Sequence, residues 1–262
     1  MITRTYKVTD ACGNTSADIL HTININDTTA PSITGSISLT NVEGCTLSDA
    51  PAAVTTVAAL EALTGNLQIS DACTSDASLV VSSTQTSTGT CPLVITRIYK
   101  VTDACGNTSA NITHTIQVND TTVPAVTGSI SATSVEGCAV GDAPAAVTTV
   151  AALEALTGNL QIADACTSDA TLTVTSSQTA SGTCPIIITR TYKVTDACGN
   201  TSVDIIHTIS VDDTTAPAVT GSITPTTVEG CSLGDAPVAV TTVAALEALT
   251  GNLLIADACT SD

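Results

Sequence analysis

The chain has 262 residues, of which 24 are acidic and 6 are basic, and its net charge is −18. Such a surface repels nucleic-acid phosphates and anionic lipid head groups, so neither is an expected partner. The mean hydropathy is positive, but no uninterrupted apolar run reaches the length of about 18 residues that crosses a bilayer, so no membrane insertion is expected within this sequence.

One stretch occurs three times and defines a long repeat. It reads TRTYKVTDACGNTS at 3–16, TRIYKVTDACGNTS at 96–109 and TRTYKVTDACGNTS at 189–202, so the copies are 93 residues apart. This period indicates whole domains in series, since solenoid repeats have about 20–50 residues. We expect the C-terminal part of a repeat at 1–27, complete repeats at 28–120 and 121–213, and the N-terminal part of another at 214–262. Because both ends fall inside a repeat, we expect a longer polymer.

The first elements in chain order are a hairpin and a junction. A strand, a turn at 10–14 and a second strand at about 16–25 have the alternation of a β-hairpin. The junction from Asp27 to Pro31 follows, and its proline ends the strand and stiffens the linker. We place the domain boundary at this junction.

The complete repeat then shows a series of short elements. We predict a helix of two turns at 56–63, because the segment is rich in helix formers, Thr56 can act as N-cap and Gly65 can end the helix. The remaining pattern predicts strands at 32–39, 67–69 and 78–84, a loop at 46–51 and a turn at 71–76. Many short strands with little helix predict an all-β class and a β-sandwich.

Cysteines replace aromatic residues as the expected source of stability. The chain has no Phe, no Trp, three Tyr and 11 Cys. Four Cys per repeat at fixed spacing suit a framework of two disulfides in an oxidising, extracellular setting, each bond contributing about 3–4 kcal/mol. A zinc site is the competing interpretation, but no CxxC pair is present. A catalytic thiol is not expected, because no Cys has a His nearby in sequence.

Strand direction selects among the three possible pairings of four cysteines. In a sandwich whose termini lie at opposite poles, Cys45 and Cys91 fall at the far pole, and Cys73 and Cys105 at the N-terminal pole. We therefore predict the bonds Cys45–Cys91, Cys73–Cys105, Cys138–Cys184 and Cys166–Cys198. The partners of Cys12, Cys231 and Cys259 are expected outside the sequence.

The turn and the junction together resemble a known family. Tyr99, Asp103, Gly106 and Asn107, followed by Asp120 and Pro124, match the end of hyalin-repeat (HYR-like) domains. The form with Cys in the turn is similar to the tandem Ig-like repeats of giant Bacteroidetes surface adhesins, of the SprB gliding-motility type. The resemblance implies Ig-like sandwiches, type IX secretion and display on the cell surface. It also implies possible O-glycosylation at Thr28, Thr121 and Thr214, although these residues can simply shape the linker.

Aspartates recur at the predicted poles and are candidates for calcium binding. Calcium prefers several hard oxygen ligands, and carboxylates at a junction could stiffen a rod by binding it. No EF-hand motif is present, and turn capping by Asx side chains accounts for most of these residues. The candidates are Asp27, Asp71, Asp76, Asp103, Asp120 and Asp213.

The basic residues and histidines occur once per repeat on predicted strands. Arg97 shares a sheet face with Ile95, Tyr99 and Val101, so it is expected to be half-buried and paired with a carboxylate. His114 lies on the last strand without a second ligand at metal-binding spacing, so we interpret it as a strand residue. No nucleophile motif, phosphate loop or paired acid site is present, and we predict neither an enzyme nor a resident cofactor.

The leading hypothesis is a structural and adhesive polymer, in which disulfide-bonded sandwiches in series form the stalk of a secreted adhesin or filament. Its expected partners are neighbouring repeats of the same chain. The alternative is an array of modules that bind glycans or other ligands, or an accessory region of a secreted enzyme, although exposed aromatic residues for sugar stacking are scarce. Lateral self-assembly is a third possibility.

Overall fold

A computed structural model describes residues 1–259 and shows a predominantly β protein. The chain divides into two compact units, Met1–Thr121 and Thr122–Asp262. The predominance of strands agrees with the all-β prediction. Within the described residues no helix has the length and apolar character needed to cross a membrane.

The first unit contains a hairpin followed by a larger group of strands. The hairpin is made of two antiparallel strands, of which the second covers the central part of the predicted 16–25 segment. In chain order, the helices and strands of the first unit are β1 (Ile2–Tyr6), β2 (Ile19–Ile23), β3 (Ser32–Thr34), β4 (Thr40–Glu43), α1 (Val57–Glu61), β5 (Gln68–Ser70), β6 (Val80–Thr88), β7 (Leu93–Thr102) and β8 (Ile112–Asn119).

The second unit repeats the same elements with bounds shifted by 93 residues. They are β9 (Ala125–Thr127), β10 (Thr133–Glu136), α2 (Val150–Glu154), β11 (Gln161–Ala163), β12 (Thr173–Ser181), β13 (Ile186–Thr195), β14 (Ile205–Asp212), β15 (Ala218–Thr220), α3 (Val243–Glu247) and β16 (Leu254–Ala256). The sequence period is thus also a period of secondary structure.

Each complete repeat is built from two sheets. In the first unit, a four-stranded sheet has the order β4-β8-β7-β6, and β3 and β5 form a separate antiparallel pair. Strand β4 is parallel to β8, with Glu43 opposite Asn119, so both strands end at the same pole. The second unit has the corresponding orders β10-β14-β13-β12 and β11-β9.

The predicted strand at 32–39 is too long, because β3 ends at Thr34 and the next strand, β4, begins at Thr40 in the other sheet. Strand β3 pairs with β5, and β4 pairs with β8. The break occurs at Gly35, whose φ is +71°, a conformation that side chains with a Cβ rarely adopt. A Cβ at this position would also collide with the carbonyl group of Asn66. A close backbone approach at glycine therefore ends the first strand.

The predicted helix is confirmed, although it is shorter than two full turns. Helix α1 has five residues, and Ala59 N donates a hydrogen bond of 3.2 Å to Oγ1 of its N-cap Thr56. Its apolar face buries Val57 and Leu60. The helix thus covers the end of a core that contains no Phe or Trp.

Strand β7 supplies the centre of this core. Its side chains alternate between a buried and a more exposed face, as expected for a pleated strand. Tyr99 has no exposed surface and packs in one cluster with Leu60, Leu67 and Ile112. A phenol therefore fills the volume that Phe or Trp would fill in other sandwiches.

Arg97 is buried rather than half-buried, and its partners are neutral oxygen atoms. Only 4% of its surface is exposed. Its guanidinium donates to Gln85 Oε1 through Nε (3.1 Å) and Nη2 (2.9 Å), and Nη2 also donates to Pro51 O (3.0 Å). The predicted carboxylate partner is thus replaced by the side-chain amide of Gln85 on the neighbouring strand and by a backbone carbonyl of the loop at Pro51.

His114 lies opposite Arg97 in the register of β7 and β8 and is also buried. Its Nε2 atom is 2.8 Å from Thr40 Oγ1, whereas its Nδ1 atom is buried without a hydrogen-bond partner. Burial, together with the positive charge of Arg97, lowers the pKa of His114 below its ordinary value. The same two causes lower the pKa of His207, with Arg190 in the place of Arg97.

The buried histidines predict a pH dependence of stability. Because their pKa is lowered in the folded state, the unfolded chain binds protons first as the pH falls below the ordinary histidine pKa of about 6.5. Unfolding in denaturant should therefore cost less free energy at pH 5.5 than at pH 7.5. The double variant His114→Gln/His207→Gln should lose part of this difference.

His21 provides a matched control, since it is the exposed residue at the corresponding repeat position. His21→Gln should keep the pH dependence of the natural chain. An equal loss of stability between the two pH values in the natural chain and in the double variant would contradict this prediction.

Candidate functional site

The segment Asp27–Pro31 enters the complete repeat beside two loops that also begin with aspartate. One carboxylate oxygen from each of Asp27, Asp71 and Asp103 lies within 4.8 Å of the others. We call these three residues the junction triad. Asp103 is buried, and Asp27 and Asp71 are half-buried.

Local turns hold each carboxylate of the junction triad in place. Asp71 follows β5, and its Oδ1 accepts hydrogen bonds from Cys73 N (3.0 Å) and Thr74 N (2.7 Å). Asp27 follows the β1–β2 hairpin, and its Oδ1 accepts from Thr29 N (3.0 Å). These are Asx turns, in which a carboxylate replaces a backbone acceptor.

Asp103 is held by the turn that follows β7. Its Oδ1 accepts from Cys105 N (2.9 Å) and Asn107 N (2.8 Å), and its Oδ2 accepts from Asn107 Nδ2 (2.7 Å). Asn107 Nδ2 also donates to Asp27 O at 3.1 Å. One asparagine thus connects the turn to the backbone of the junction.

The environment of Asp103 favours its charged form. Burial raises the pKa of this carboxyl group, but the hydrogen bonds from Asn107, Cys105 and Gly106 lower it by more, so the net pKa is below the ordinary value. Anionic oxygens this close together repel one another. A divalent cation with a preference for hard oxygen ligands would offset that repulsion, and calcium is such a cation.

The structure brings together three of the six aspartates predicted as calcium candidates. Asp76 is exposed and starts a short 3-10 turn outside the triad. Asp120 is buried and Asp213 is half-buried, and both occupy the repeat position of Asp27. Each triad carboxylate also serves a turn, so turn capping and cation binding are compatible roles for the same side chains.

Calcium binding therefore stays a prediction with a defined test. Addition of CaCl2 should raise the thermal midpoint of the natural chain, because bound cation stabilises the folded state. The double variant Asp71→Asn/Asp164→Asn, which changes the same repeat position twice, should show little or no rise. Asparagine can keep the hydrogen bonds of the turn but removes the charge.

Asp76→Asn/Asp169→Asn is the matched control, since Asp76 lies outside the triad and Asp169 is its counterpart one period later. This control should respond to calcium as the natural chain does. An identical thermal midpoint of the natural chain with and without calcium would exclude the site.

At the end of each complete repeat, a glutamate fixes the junction that leaves the domain. Glu43 Oε1 accepts from Thr121 N (2.9 Å), and its Oε2 accepts from Thr121 Oγ1 (2.7 Å). Glu136 makes the same bonds with Thr214 (3.0 and 2.6 Å), and its Oε1 also accepts from Thr215 Oγ1 (2.9 Å). We call Glu43 and Glu136 the junction glutamates.

Sequence reasoning missed the junction glutamates, although a signal was present. The motif Val-Glu-Gly-Cys precedes an Asp-Thr-Thr junction by a constant interval in both complete repeats. The register of β4 against β8 is what brings the glutamate to the end of the domain. Hydrogen bonds from Thr214 and Thr215 lower the pKa of Glu136, so it stays charged at neutral pH.

The predicted glycosylation sites carry hydroxyl groups that are already used. Thr121 Oγ1 and Thr214 Oγ1 each donate to a junction glutamate, and a glycan on that oxygen would remove the donated hydrogen. Thr28 is exposed. These contacts support a role in shaping the linker for Thr121 and Thr214, while glycosylation of the three residues stays a prediction.

Removal of a junction glutamate should expose the linker to proteolysis. In Glu136→Ala, Thr214 and Thr215 lose their acceptor, so the endoproteinase Asp-N should cut before Asp212 or Asp213 faster than in the natural chain. Glu229→Ala is the control, because Glu229 has the same repeat position but does not contact this linker. Mass spectrometry measures the cleavage rates. Equal rates in Glu136→Ala and the natural chain would contradict the role of Glu136 in fixing the linker.

The cysteines are oxidised in a different pattern from the predicted one. Cys138 is bonded to Cys259, with Cα atoms 4.9 Å apart. The predicted bonds Cys138–Cys184 and Cys73–Cys105 are therefore wrong. The other cysteines that form disulfides are Cys45, Cys91, Cys166 and Cys198, and those with free thiols are Cys12, Cys73, Cys105, Cys184 and Cys231.

The error came from treating one repeat in isolation. Strand direction does place Cys138 and Cys184 near the same residue, because Gly137 N donates to Asp212 O (3.1 Å) and the Cys184 thiol donates to Asp212 Oδ1 (3.4 Å). Cys259, however, belongs to the following repeat and is the bonded partner. A cysteine at the end of a domain can reach its neighbour as well as its own domain.

The surroundings of the free thiol of Cys73 make it a poor nucleophile. The negative charge of Asp27 is the main factor that raises the pKa of Cys73, with smaller effects of burial and of Asp71. A raised pKa keeps the thiol protonated and poorly nucleophilic at neutral pH. The disulfide-bonded cysteines indicate an oxidising, extracellular environment.

No protein-family model matches this chain, and no curated protein is significantly similar to it.

Proposed function

We propose that this chain is a stalk segment of a very long secreted adhesin or filament on a bacterial surface. In this proposal, Ig-like β-sandwich domains follow one another end to end, with the 93-residue period as the building unit. The role is structural and adhesive rather than enzymatic. Export by type IX secretion and a part in gliding motility or surface attachment are the specific form that the resemblance to HYR-like adhesins suggests.

The observation that carries the proposal is that one domain holds both of its linkers. Asn107 Nδ2 donates to the carbonyl oxygen of Asp27, where the chain enters the complete repeat 28–120. Glu43 accepts two hydrogen bonds from Thr121, where the chain leaves it. Fixed linkers at both ends are useful to a load-bearing polymer, whereas independent binding modules need no such contacts.

The charge and the polar contacts also support a structural role. A net charge of −18 keeps a long exported chain soluble and discourages collapse onto itself. The aspartates and glutamates with defined hydrogen bonds serve turns and junctions, as with Asp49, which accepts from Cys45 N and Thr46 N at 2.9 and 2.8 Å. The polar chemistry of the domain thus stabilises its ends.

Electron microscopy of the full chain tests the proposal. A strand of about ten residues spans roughly 33 Å, so each repeat should add on the order of 40 Å to a rod. We expect rotary-shadowed or negatively stained particles to be elongated with that axial increment. A compact particle without an axial increment would contradict the proposal, and saturable binding to surface glycans by such a particle would favour a ligand-binding module.

A further inference from the structure

The four-stranded sheet of the first unit has two edges that differ in length and in charge. One edge is β4, which has four residues and ends with the exposed carboxylate of Glu43. The other edge is β6, which has nine residues, none of them charged and none of them proline. Short length, charged side chains and prolines are features by which proteins keep a sheet edge from pairing with another chain. Strand β4 has the first two of these features, and β6 has none of the three.

Strand β6 is paired on one side only. Its antiparallel register with β7 is unbroken, from Val80 opposite Thr102 to Thr88 opposite Val94, and contains no bulge. In such a ladder, alternate residues direct their N–H and C=O groups away from the partner strand. Among the residues that the structure describes, no strand pairs with that second side. Strand β6 therefore presents a row of backbone donors and acceptors to solvent.

The side chains of β6 are also open to solvent. From Ser82 to Thr88 every residue is exposed, whereas the side chains of β7 alternate between a buried and a more exposed face. This part of β6 therefore extends the sheet beyond the core. A strand added at this edge would lie beside Ser, Thr and Gln side chains, which carry no charge and repel no partner.

A buried arginine holds the middle of β6 against β7. Gln85 Oε1 accepts hydrogen bonds from Nε and Nη2 of Arg97, at 3.1 and 2.9 Å. In the second unit, Gln178 Oε1 accepts from the same two atoms of Arg190, again at 3.1 and 2.9 Å. The edge is thus ordered before a partner binds, which lowers the entropy cost of pairing.

The negative charge of the chain lies away from this edge. Of the 24 acidic residues, none lies between Asp76 and Asp103, the interval that contains β6 and β7. One period later, none lies between Asp169 and Asp196, the interval that contains β12 and β13. A net charge of −18 opposes the approach of two copies, and these two hairpins are where that repulsion is weakest. The acid-free intervals therefore favour a second copy of the same chain as the partner.

We propose that chains associate side by side through this edge, with β6 of one copy pairing antiparallel to β6 of a second copy. A strand that pairs with its own copy about a two-fold axis is antiparallel to it, and the outward backbone groups of the two strands are complementary by symmetry. Full overlap of the nine residues places the axis at Thr84, the central residue. Thr84 of one copy then lies opposite Thr84 of the other, and two four-stranded sheets become one sheet of eight strands.

Strand β12 offers an equivalent edge in the second unit. Its nine residues are also uncharged and free of proline, and they pair with β13 without a bulge. The opposite edge of that sheet, β10, again has four residues and ends with Glu136. The central residue of β12 is Ser177. Because one chain carries two such edges, association is not limited to a pair of chains, and it does not rest on the adhesive role.

Analytical ultracentrifugation of the full chain tests the association. The buffer contains about 0.15 M salt, which screens charges that are more than about 8 Å apart. The free thiols are first blocked with iodoacetamide, so that no disulfide can join two chains. We expect the mean mass to rise with protein concentration above the 26.1 kDa of one chain. A mass that stays at 26.1 kDa up to millimolar concentration would overturn the proposal.

Charges placed at the two-fold axis give a second test. In Thr84→Lys/Ser177→Lys, like charges would lie directly opposite each other, so the rise of mass with concentration should be lost. The same loss is expected in Thr84→Glu/Ser177→Glu. An equimolar mixture of the two variants places lysine opposite glutamate and should restore association, which a misfolded variant could not do. A mixture that fails to associate, or a single variant that associates as the natural chain does, would overturn the proposal.

Thr113→Lys/Ile206→Lys is the matched control. It adds the same charge at exposed positions of β8 and β14, which are central strands of their sheets. This control should associate as the natural chain does. A loss of association equal to that of the edge variants would show that net charge, and not pairing at the edge, governs the contact between chains, and would also overturn the proposal.

Discussion

Carboxylates that accept backbone amide hydrogen bonds hold the ends of these domains. Asp71, Asp103 and Asp142 each fix the backbone nitrogen of a neighbouring cysteine, and the junction glutamates fix the threonine that leaves the domain. A charged acceptor makes a stronger hydrogen bond than a neutral one. Both the cysteine positions and the linker direction therefore depend on acidic side chains, which also explains why so acidic a chain keeps defined loops.

The interior follows a different constraint, because large apolar rings are nearly absent. Tyr99 is buried beside aliphatic residues, and its hydroxyl accepts a hydrogen bond from Val54 N (3.3 Å). Arg97 Nη1 lies 3.5 Å from the same oxygen. A backbone amide and a buried guanidinium thus meet at one phenol oxygen. A sandwich of this kind gains less from apolar burial than one with several aromatic residues, so bonds and contacts at its ends carry more of the stability.

The sequence predicted what depends on local pattern and missed what depends on neighbours. The alternation of β7 and the cap at Thr56 identified a strand and a helix that the structure contains. The change of sheet at Gly35 was missed, since it requires knowledge of the approaching Asn66 carbonyl. The junction triad was named among the calcium candidates but was not recognised as a group, because Asp27 belongs to the preceding repeat segment. The predicted Cys138–Cys184 bond failed for the same reason, because Cys138 is bonded to a cysteine of the following repeat.

The disulfide between Cys138 and Cys259 closes a covalent loop of 121 positions that contains strands β11 to β16. A pull on the two ends of the chain would pass through the sulfur bridge and bypass that loop. The residues inside the loop could then unfold without lengthening the chain.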